Sequence, residues 1–283
     1  MPGIAVVTDS TCDRGPEALT AVNVTMVPLK VHFGDEAFSD WVDLKPEQFY
    51  PKLRSAAQLP TTSQPTPGDF AEVYRRLAEE GAEGIVSIHL SAKLSGTVES
   101  ALMAAANSPV PVRVIDSTSV SCGMDFAIEA ACAARDAGAD LDTVEKAALD
   151  AVADTELFFV IDTLDYLVKG GRAGRSEGAA AALLNIKPIL QVTGGVIEPF
   201  RKCKGTNKAI REMAEYVAER SRKLGPLKIV VIHAVAQNLA DELTNAIRSA
   251  GTEIAQLSCD SIGAVIGTHV GPRTVGVGYA PAR

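Results

Sequence analysis

Three stretches of this sequence set hydroxyls, glycine and histidine at spacings suited to holding an anion. Residues 61–70 read TTSQPTPGDF, with Thr61, Thr62, Ser63 and Thr66 among Pro65, Pro67 and Gly68 and no charge before Asp69. Proline fixes φ, so the stretch is either a turn leading into a helix or a rigid rack of hydrogen-bond donors. Residues 91–105, SAKLSGTVESALMAA, follow an apolar run and enter a helical pattern. Ser95 suits the N-cap of that helix, and Gly96 lets a ligand approach the backbone closely. Unpaired N–H groups at a helix start accept a carboxylate or phosphate without a charged partner, although an ordinary cap explains Ser95 as well. Ser91 is the weaker candidate, and Lys93 reads as solvated. In DSIGAVIGTHVGPRTVGVGY, residues 260–279, a helix capped by Asp260 or Ser261 would align Ile262, Val265, Ile266 and His269 on one face. His269 then emerges from an apolar stripe just before Gly271-Pro272, as a core histidine or as a ligand contact. Of the other histidines, His32 sits in a polar strand, while His89 and His233 end apolar ones.

The common chemical signatures are missing from the chain. There is no G-x-G-x-x-G after the first strand, no P-loop, no H-E-x-x-H and no G-x-S-x-G. A Ser–His hydrolase would need Ser91 or Ser95 activated by His269 outside any such motif. Asp9, Asp116 and Asp162 each end a strand, where Asx turns and helix caps explain them more cheaply than a metal. The five cysteines (Cys12, Cys122, Cys132, Cys203, Cys259) never form C-x-x-C, which points to reduced thiols, no zinc site and a cytoplasmic setting. MPGIAVVTDS lacks a basic leader and reads as a first strand. GAAAALLNIKPILQV is interrupted by Lys187 and Pro188, too soon for a membrane span. A net charge of −8 disfavours nucleic acid as a partner. Against it, KGGRAGR (169–175) and RKCKGTNK (201–208) are local basic clusters, either solvated faces or a docking surface for a protein or membrane lipid.

The elements that must position these residues alternate. IAVVT (4–8), VTMVPLKV (24–31), GIVSIHL (84–90) and VRVI (112–115) read as strands, and 70–80, 97–107, 124–137 and 142–153 as helices. That alternation predicts an α/β fold with a mainly parallel sheet, whose ligands gather beyond the carboxyl ends of the strands. From Thr155 onward the pattern mixes. LFFVIDT, KPILQV and VIEPF read as strands, the last two joined by a Gly194-Gly195 hairpin. Helix 206–223, strand LKIVVIHA, helix 237–250 and strand EIAQLS follow. We therefore expect two domains, 1–155 and 156–283, the second with a mixed sheet.

Taken together, TDSTCD (8–13), TTSQPTPGDF, LSAKLSGT (90–97), IDSTSVSCG (115–123), DTLDYLVKGGRAGR (162–175), LLNIKPIL (183–190) and IGTHVGP (266–272) resemble, in content and order, the motifs of DegV proteins. The resemblance spans essentially the whole chain. It implies an N-terminal three-layer α/β/α domain and a C-terminal mixed α/β domain that covers an acyl chain and supplies His269. It further implies a long-chain fatty acid as ligand, no cofactor and no catalytic residue. In this reading the chain is a carrier subunit that presents the acid to a separate ATP-dependent fatty acid kinase subunit, which makes acyl phosphate for phospholipid synthesis. The family's head-group contacts fall here on Thr62, Ser95 with Gly96, and His269. Arg172 stands near the mouth of the site, and Arg201 and Lys204 lie near the head group or a docking face. The chain departs from the family pattern at Lys204, where arginine is common, at Thr206, and at Arg273, where glycine is usual.

A fatty acid makes two demands. At about 0.8 kcal/mol per buried CH₂, roughly fifteen methylenes contribute on the order of 12 kcal/mol before the entropy of binding is subtracted. Aliphatic residues can line such a tunnel, and 179–190 is a candidate wall or a plain core helix. The carboxylate needs donors that do not bury it in a strong ion pair, which hydroxyls and an imidazole provide. The alternatives from the residues alone are a Ser/His acyl hydrolase, a small-molecule kinase subunit of the dihydroxyacetone type, or a binder of another small anion.

Overall fold

A computed structural model describes residues 3–174 and 187–282. Contacts group the chain into two units, Met1–Ala153 with Gly263–Val265, and Asp154–Ile262 with Ile266–Arg283. The return of Gly263–Val265 to the first unit departs from two unbroken blocks. Its cause is a pair of hydrogen-bonded carboxylates, Asp13 and Asp40.

The first unit is built on a parallel sheet of β1 (Gly3–Asp9), β2 (Val24–Val27), β6 (Ala82–His89) and β7 (Val112–Asp116), in the order β2-β1-β6-β7. Helices α3 (Pro67–Glu79) and α4 (Thr97–Ala105) bury Phe70, Tyr74, Leu77, Ala101 and Ala104 on Val7, Val27 and Ile85. Helix α5 (Cys122–Asp136) packs on β1 and β6. Helices α1 (Gly15–Ala21), α2 (Pro46–Ser55) and α6 (Leu141–Asp154) complete the unit. A small antiparallel sheet, β4-β3-β5, joins β3 (Lys30–Phe33), β4 (Glu36–Ser39) and β5 (Thr61–Ser63). The expected single strand 24–31 is therefore two strands in different sheets. Pro28 lies at the break, where its lack of an N–H suits a chain leaving the ladder.

The second unit carries a six-stranded mixed sheet in the order β10-β9-β8-β13-β11-β12. Its strands are β8 (Glu156–Val160), β9 (Lys187–Thr193), β10 (Val196–Cys203), β11 (Leu227–His233), β12 (Ile254–Ser261) and β13 (Val275–Pro281). Only β11 and β12 pair in parallel among the described strands of this sheet. Pro199 sits in the edge strand β10, beside a register shift, where a missing donor costs least. Helices α8 (Thr206–Leu224) and α9 (Gln237–Ser249) supply Met213, Val217, Leu239 and Leu243 to the core over Phe158, Ile189 and Tyr279. The short α7 (Asp165–Lys169) follows β8, and α10 (Ala264–Val270) precedes β13. Asp260 and Ser261 end strand β12, so neither caps α10 as the sequence suggested. Strand β13, unforeseen because Gly276 and Gly278 break its apolar pattern, is central: it pairs antiparallel with both β8 and β11.

The fold is mixed α/β, with a parallel sheet in the first unit and a mixed sheet in the second. No helix among the described residues is long and apolar enough to cross a membrane.

Candidate functional site

In the first unit, the proline-stiffened hydroxyl stretch is a strand followed by a capped helix. Thr62 is half-buried in β5, opposite Val31 of β3. Thr66 begins α3 with a capping box: its Oγ1 accepts from Asp69 N at 3.2 Å, and Asp69 Oδ2 accepts from Thr66 N at 2.7 Å. Pro67 occupies the first turn, where the missing N–H costs nothing. The rack is thus fixed at both ends by backbone pairing and a cap.

Between them, Gln64 reaches across to the second motif. A Cβ on Gly96 would lie 2.5 Å from the Gln64 side-chain amide, so glycine is what admits that side chain. Gln64 Nε2 also donates to Ser100 Oγ at 3.4 Å. This contact brings the TTSQP and LSGT stretches together. Ser95 does not cap α4, however; Gly96 holds the cap position, and Ser95 Oγ instead shares a 2.9 Å hydrogen bond with Thr97 Oγ1. The loop before it turns on Ser91, whose carbonyl accepts from Leu94 N and Ser95 N. Half-buried Ser95 is positioned by that turn rather than by the helix it precedes.

Beneath these loops lies a buried polar chain that sequence reasoning missed. Asp9 Oδ1 accepts from Thr11 N at 3.0 Å and from Thr11 Oγ1 at 2.5 Å. Its Oδ2 accepts from Leu90 N at 3.0 Å and lies 3.0 Å from His89 Nδ1. His89 Nε2 is 2.7 Å from Ser87 Oγ, which accepts from Tyr74 OH at 2.9 Å. All five side chains are buried, and burial pushes the Tyr74 hydroxyl up to about 12. The chain ties the end of β1 to the end of β6, from which TDSTCD and LSAKLSGT depart. The available signal was the i, i+2 spacing of Ser87 and His89, which puts both on one face of a strand. Asp116 makes the Asx turn expected of it, its Oδ1 accepting from Thr118 N at 2.8 Å and Ala92 N at 3.2 Å.

In the second unit, His269 lies half-buried in α10. A Cβ on Gly170 would overlap His269 Nδ1, so the KGGR turn after α7 needs glycine there. Arg172 Nη1 donates to Gly170 O at 2.6 Å, which holds the guanidinium in that turn. Burial, with the Arg172 charge adding to it, pushes the His269 imidazole down to about 4. His269 is therefore a neutral ring near neutral pH, not the protonated donor that would bind an anion most strongly. Asp162 pairs with Lys187 at 2.9 Å and approaches Arg273 at 4.0 Å. Arg273 holds a left-handed conformation at φ 62°.

Arg201 is committed elsewhere: it pairs with Glu212 at 2.9 Å and stacks on Phe200 and Tyr216. Lys204 is exposed beyond the end of β10. Neither is brought to His269 by any of these contacts. Of the suggested acyl wall 179–190, residues 179–186 lie outside the described residues, and 187–190 open β9. The described residues hold no group of three or more His, Cys, Asp or Glu that could bind a metal ion. Thr62, Ser95 and Gly96 thus belong to the first unit, and His269 and Arg172 to the second.

Known proteins share this architecture over its whole length. A DegV domain-containing protein of Streptomyces coelicolor is 40% identical over 274 residues, 97% of each chain. A solved DegV family protein from Thermus thermophilus, described for its fatty acid binding, has a TM-score of 0.93 at 32% identity, covering 98% of this chain and 99% of that one. DegV of Bacillus subtilis, described as a fatty acid binding protein, has a TM-score of 0.89 at 30% identity and 99% coverage of both chains. The family model described as "Uncharacterised protein, DegV family" matches residues 3–282, and the chain belongs to the DegV family.

Proposed function

We propose that this protein binds a long-chain fatty acid, its carboxylate held by Thr62 and Ser95 with the Gly96 backbone and by His269, its tail in an apolar tunnel. The reading is carried by the Gln64–Gly96 contact, which joins two hydroxyl-bearing motifs in one unit with uncharged donors. The fatty acid binding of the Thermus and Bacillus relatives supports it. Neutral donors hold a carboxylate without the strong ion pair that would bury both of its oxygens. A neutral His269 still offers one N–H. Arg172, beside it, supplies positive charge at the rim.

In this reading the protein is a cytoplasmic carrier and supplies no nucleophile. A separate ATP-dependent kinase subunit phosphorylates the exposed carboxylate to an acyl phosphate for phospholipid synthesis, and Arg172 and Lys204 offer basic surface to that subunit or to membrane lipid. A hydrolase is less well supported, because Ser95 Oγ bonds to Thr97 Oγ1.

Native mass spectrometry of protein purified gently from bacterial cells tests the binding. It should show a mass excess that denaturation releases as long-chain acids. Thr62→Val and His269→Ala should each cut retention of stearic acid about tenfold, the loss of roughly one hydrogen bond to a charged group. No released acid, or full retention in both variants, would defeat the proposal.

A further inference from the structure

Two buried carboxylates of the first unit close on one short segment, Gly263–Val265, from 250 and 224 positions away in sequence. Asp13 Oδ1 accepts from Gly263 N at 2.9 Å, and its Oδ2 accepts from Ser121 Oγ at 2.5 Å. Asp40 Oδ1 accepts from Ala264 N at 3.0 Å and from Val265 N at 3.4 Å. The two acids are 3% and 0% exposed. A Cβ on Gly263 would overlap the Trp41 indole and come within 2.8 Å of Asp13 Oδ1, so only glycine can seat so deeply.

Strained backbone collects around this contact. Asp13, Trp41 and Ser121 are non-glycine residues with positive φ, at 63°, 63° and 54°. Each costs on the order of 1–3 kcal/mol and persists where its surroundings over-determine it. The contact is also incomplete. Asp40 Oδ2 has no hydrogen-bond partner among the described residues, while the nearby Ser10 side chain is the main group that favours the charged form against burial. A buried carboxyl oxygen without a donor is where a proton is best placed.

The titratable groups facing the pair are Asp9 at the end of β1, Cys12 in the turn after it, and Tyr50 of α2. Asp125 of α5 acts on Cys12 and is approached by Arg14 at 3.9 Å. Burial dominates the response of both acids: it pushes Asp40 up to about 7, and it raises Asp13 well above the usual range, with repulsion from Asp40 adding to the rise.

We propose that Asp13 and Asp40 form a proton-dependent clasp on the first turn of α10, seated while the carboxyl pair holds its proton and loosened when that proton leaves. The clasp goes beyond the fatty-acid reading and does not need it.

The direction follows from linkage. Below the ordinary Asp value of 3.8, Asp40 is protonated whether the clasp is open or closed, and the clasp has its full strength. Between 3.8 and about 7 the open form gives up a proton that the closed form keeps, so closure weakens by up to about tenfold per pH unit. Above about 7 Asp40 is charged in both forms and its own contribution levels off.

Hydrogen exchange of the full chain, read by mass spectrometry at pH 5, 6, 7 and 8 and corrected for intrinsic rates, decides the matter. Protection of peptides covering 263–265 should fall roughly tenfold or more between pH 5 and 7, while peptides from β6 hold steady. Asp40→Asn keeps an acceptor for Ala264 N and Val265 N without the charge, and should retain clearly more of the acid-level protection at pH 7 than the unaltered protein does. Protection independent of pH in the unaltered protein overturns the clasp, and so does an undiminished fall in Asp40→Asn. Should that variant not fold, the profile of the unaltered protein alone decides. No ligand enters the measurement, so the clasp and the fatty-acid reading stand or fall separately.

Discussion

Asp9 and Asp40 are both wholly buried carboxyl groups of the first unit, yet they are built into it differently. Asp9 uses both oxygens: three donors from Thr11 and Leu90 reach it, and His89 extends the chain to Ser87 and Tyr74. Asp40 takes two backbone N–H groups on one oxygen and none on the other. The difference teaches which buried acid is a brace and which is a sensor. A carboxyl group whose lone pairs are all engaged locks two strand ends together. One left short of donors remains open to a proton, and its grip follows the pH.

The comparison breaks most readily at the brace. Asp9→Ala strands buried donors of Thr11 and Leu90 and deprives His89 of its partner, which should cost about 3–5 kcal/mol in urea unfolding. A loss below about 1 kcal/mol would erase the distinction between the two acids.

A smaller effect, with the opposite sign, is expected at the sensor. Asp40→Asn should stabilise the protein by about 1–3 kcal/mol at pH 8, where the natural side chain bears a charge without enough donors. At pH 4 the same substitution should change little, because the carboxyl is then protonated. Equal effects at both pH values would show that Asp40 is another brace.

The smallest effect sharpens the comparison in the second unit. The His269 ring should titrate near 4 by NMR, and Arg172→Ala should raise that value by removing a nearby positive charge. Because the folded-state value lies below the ordinary 6.5, the stability linked to His269 is present above 6.5 and is lost as pH falls toward 4. Asp40 runs the other way, losing its contribution as pH rises from 3.8 toward 7. A His269 ring titrating above 6 would remove this opposition.

Much of the scaffold could be read from the chain, because its signals are local. Strands β1, β6 and β7 follow from β-branched runs, helices α3 to α6 from apolar periodicity, and the Gly194-Gly195 hairpin from its turn residues. Legibility failed where local rules gave way to long-range pairing. Thr61–Ser63 became a strand only because β3 lies beside it, and β13 overrode its own glycines by filling the gap between β8 and β11. Ser95 lost its expected cap role because Gly96 already turns the chain into α4 beneath Gln64.

The amino-acid order by itself determined the α/β class, the stiffened hydroxyl stretch and Ser95, Gly96 and His269 as candidates, since propensity, proline geometry and motif spacing act over a few residues; Thr62 was singled out within its stretch by the resemblance to DegV proteins. Tertiary structure alone decided that His269 is neutral, that Asp9 and His89 form one buried chain, and that Asp13 and Asp40 meet Gly263–Val265. Those outcomes depend on how much water is excluded and on which donors arrive from distant positions, and neither quantity is written in any short stretch of sequence.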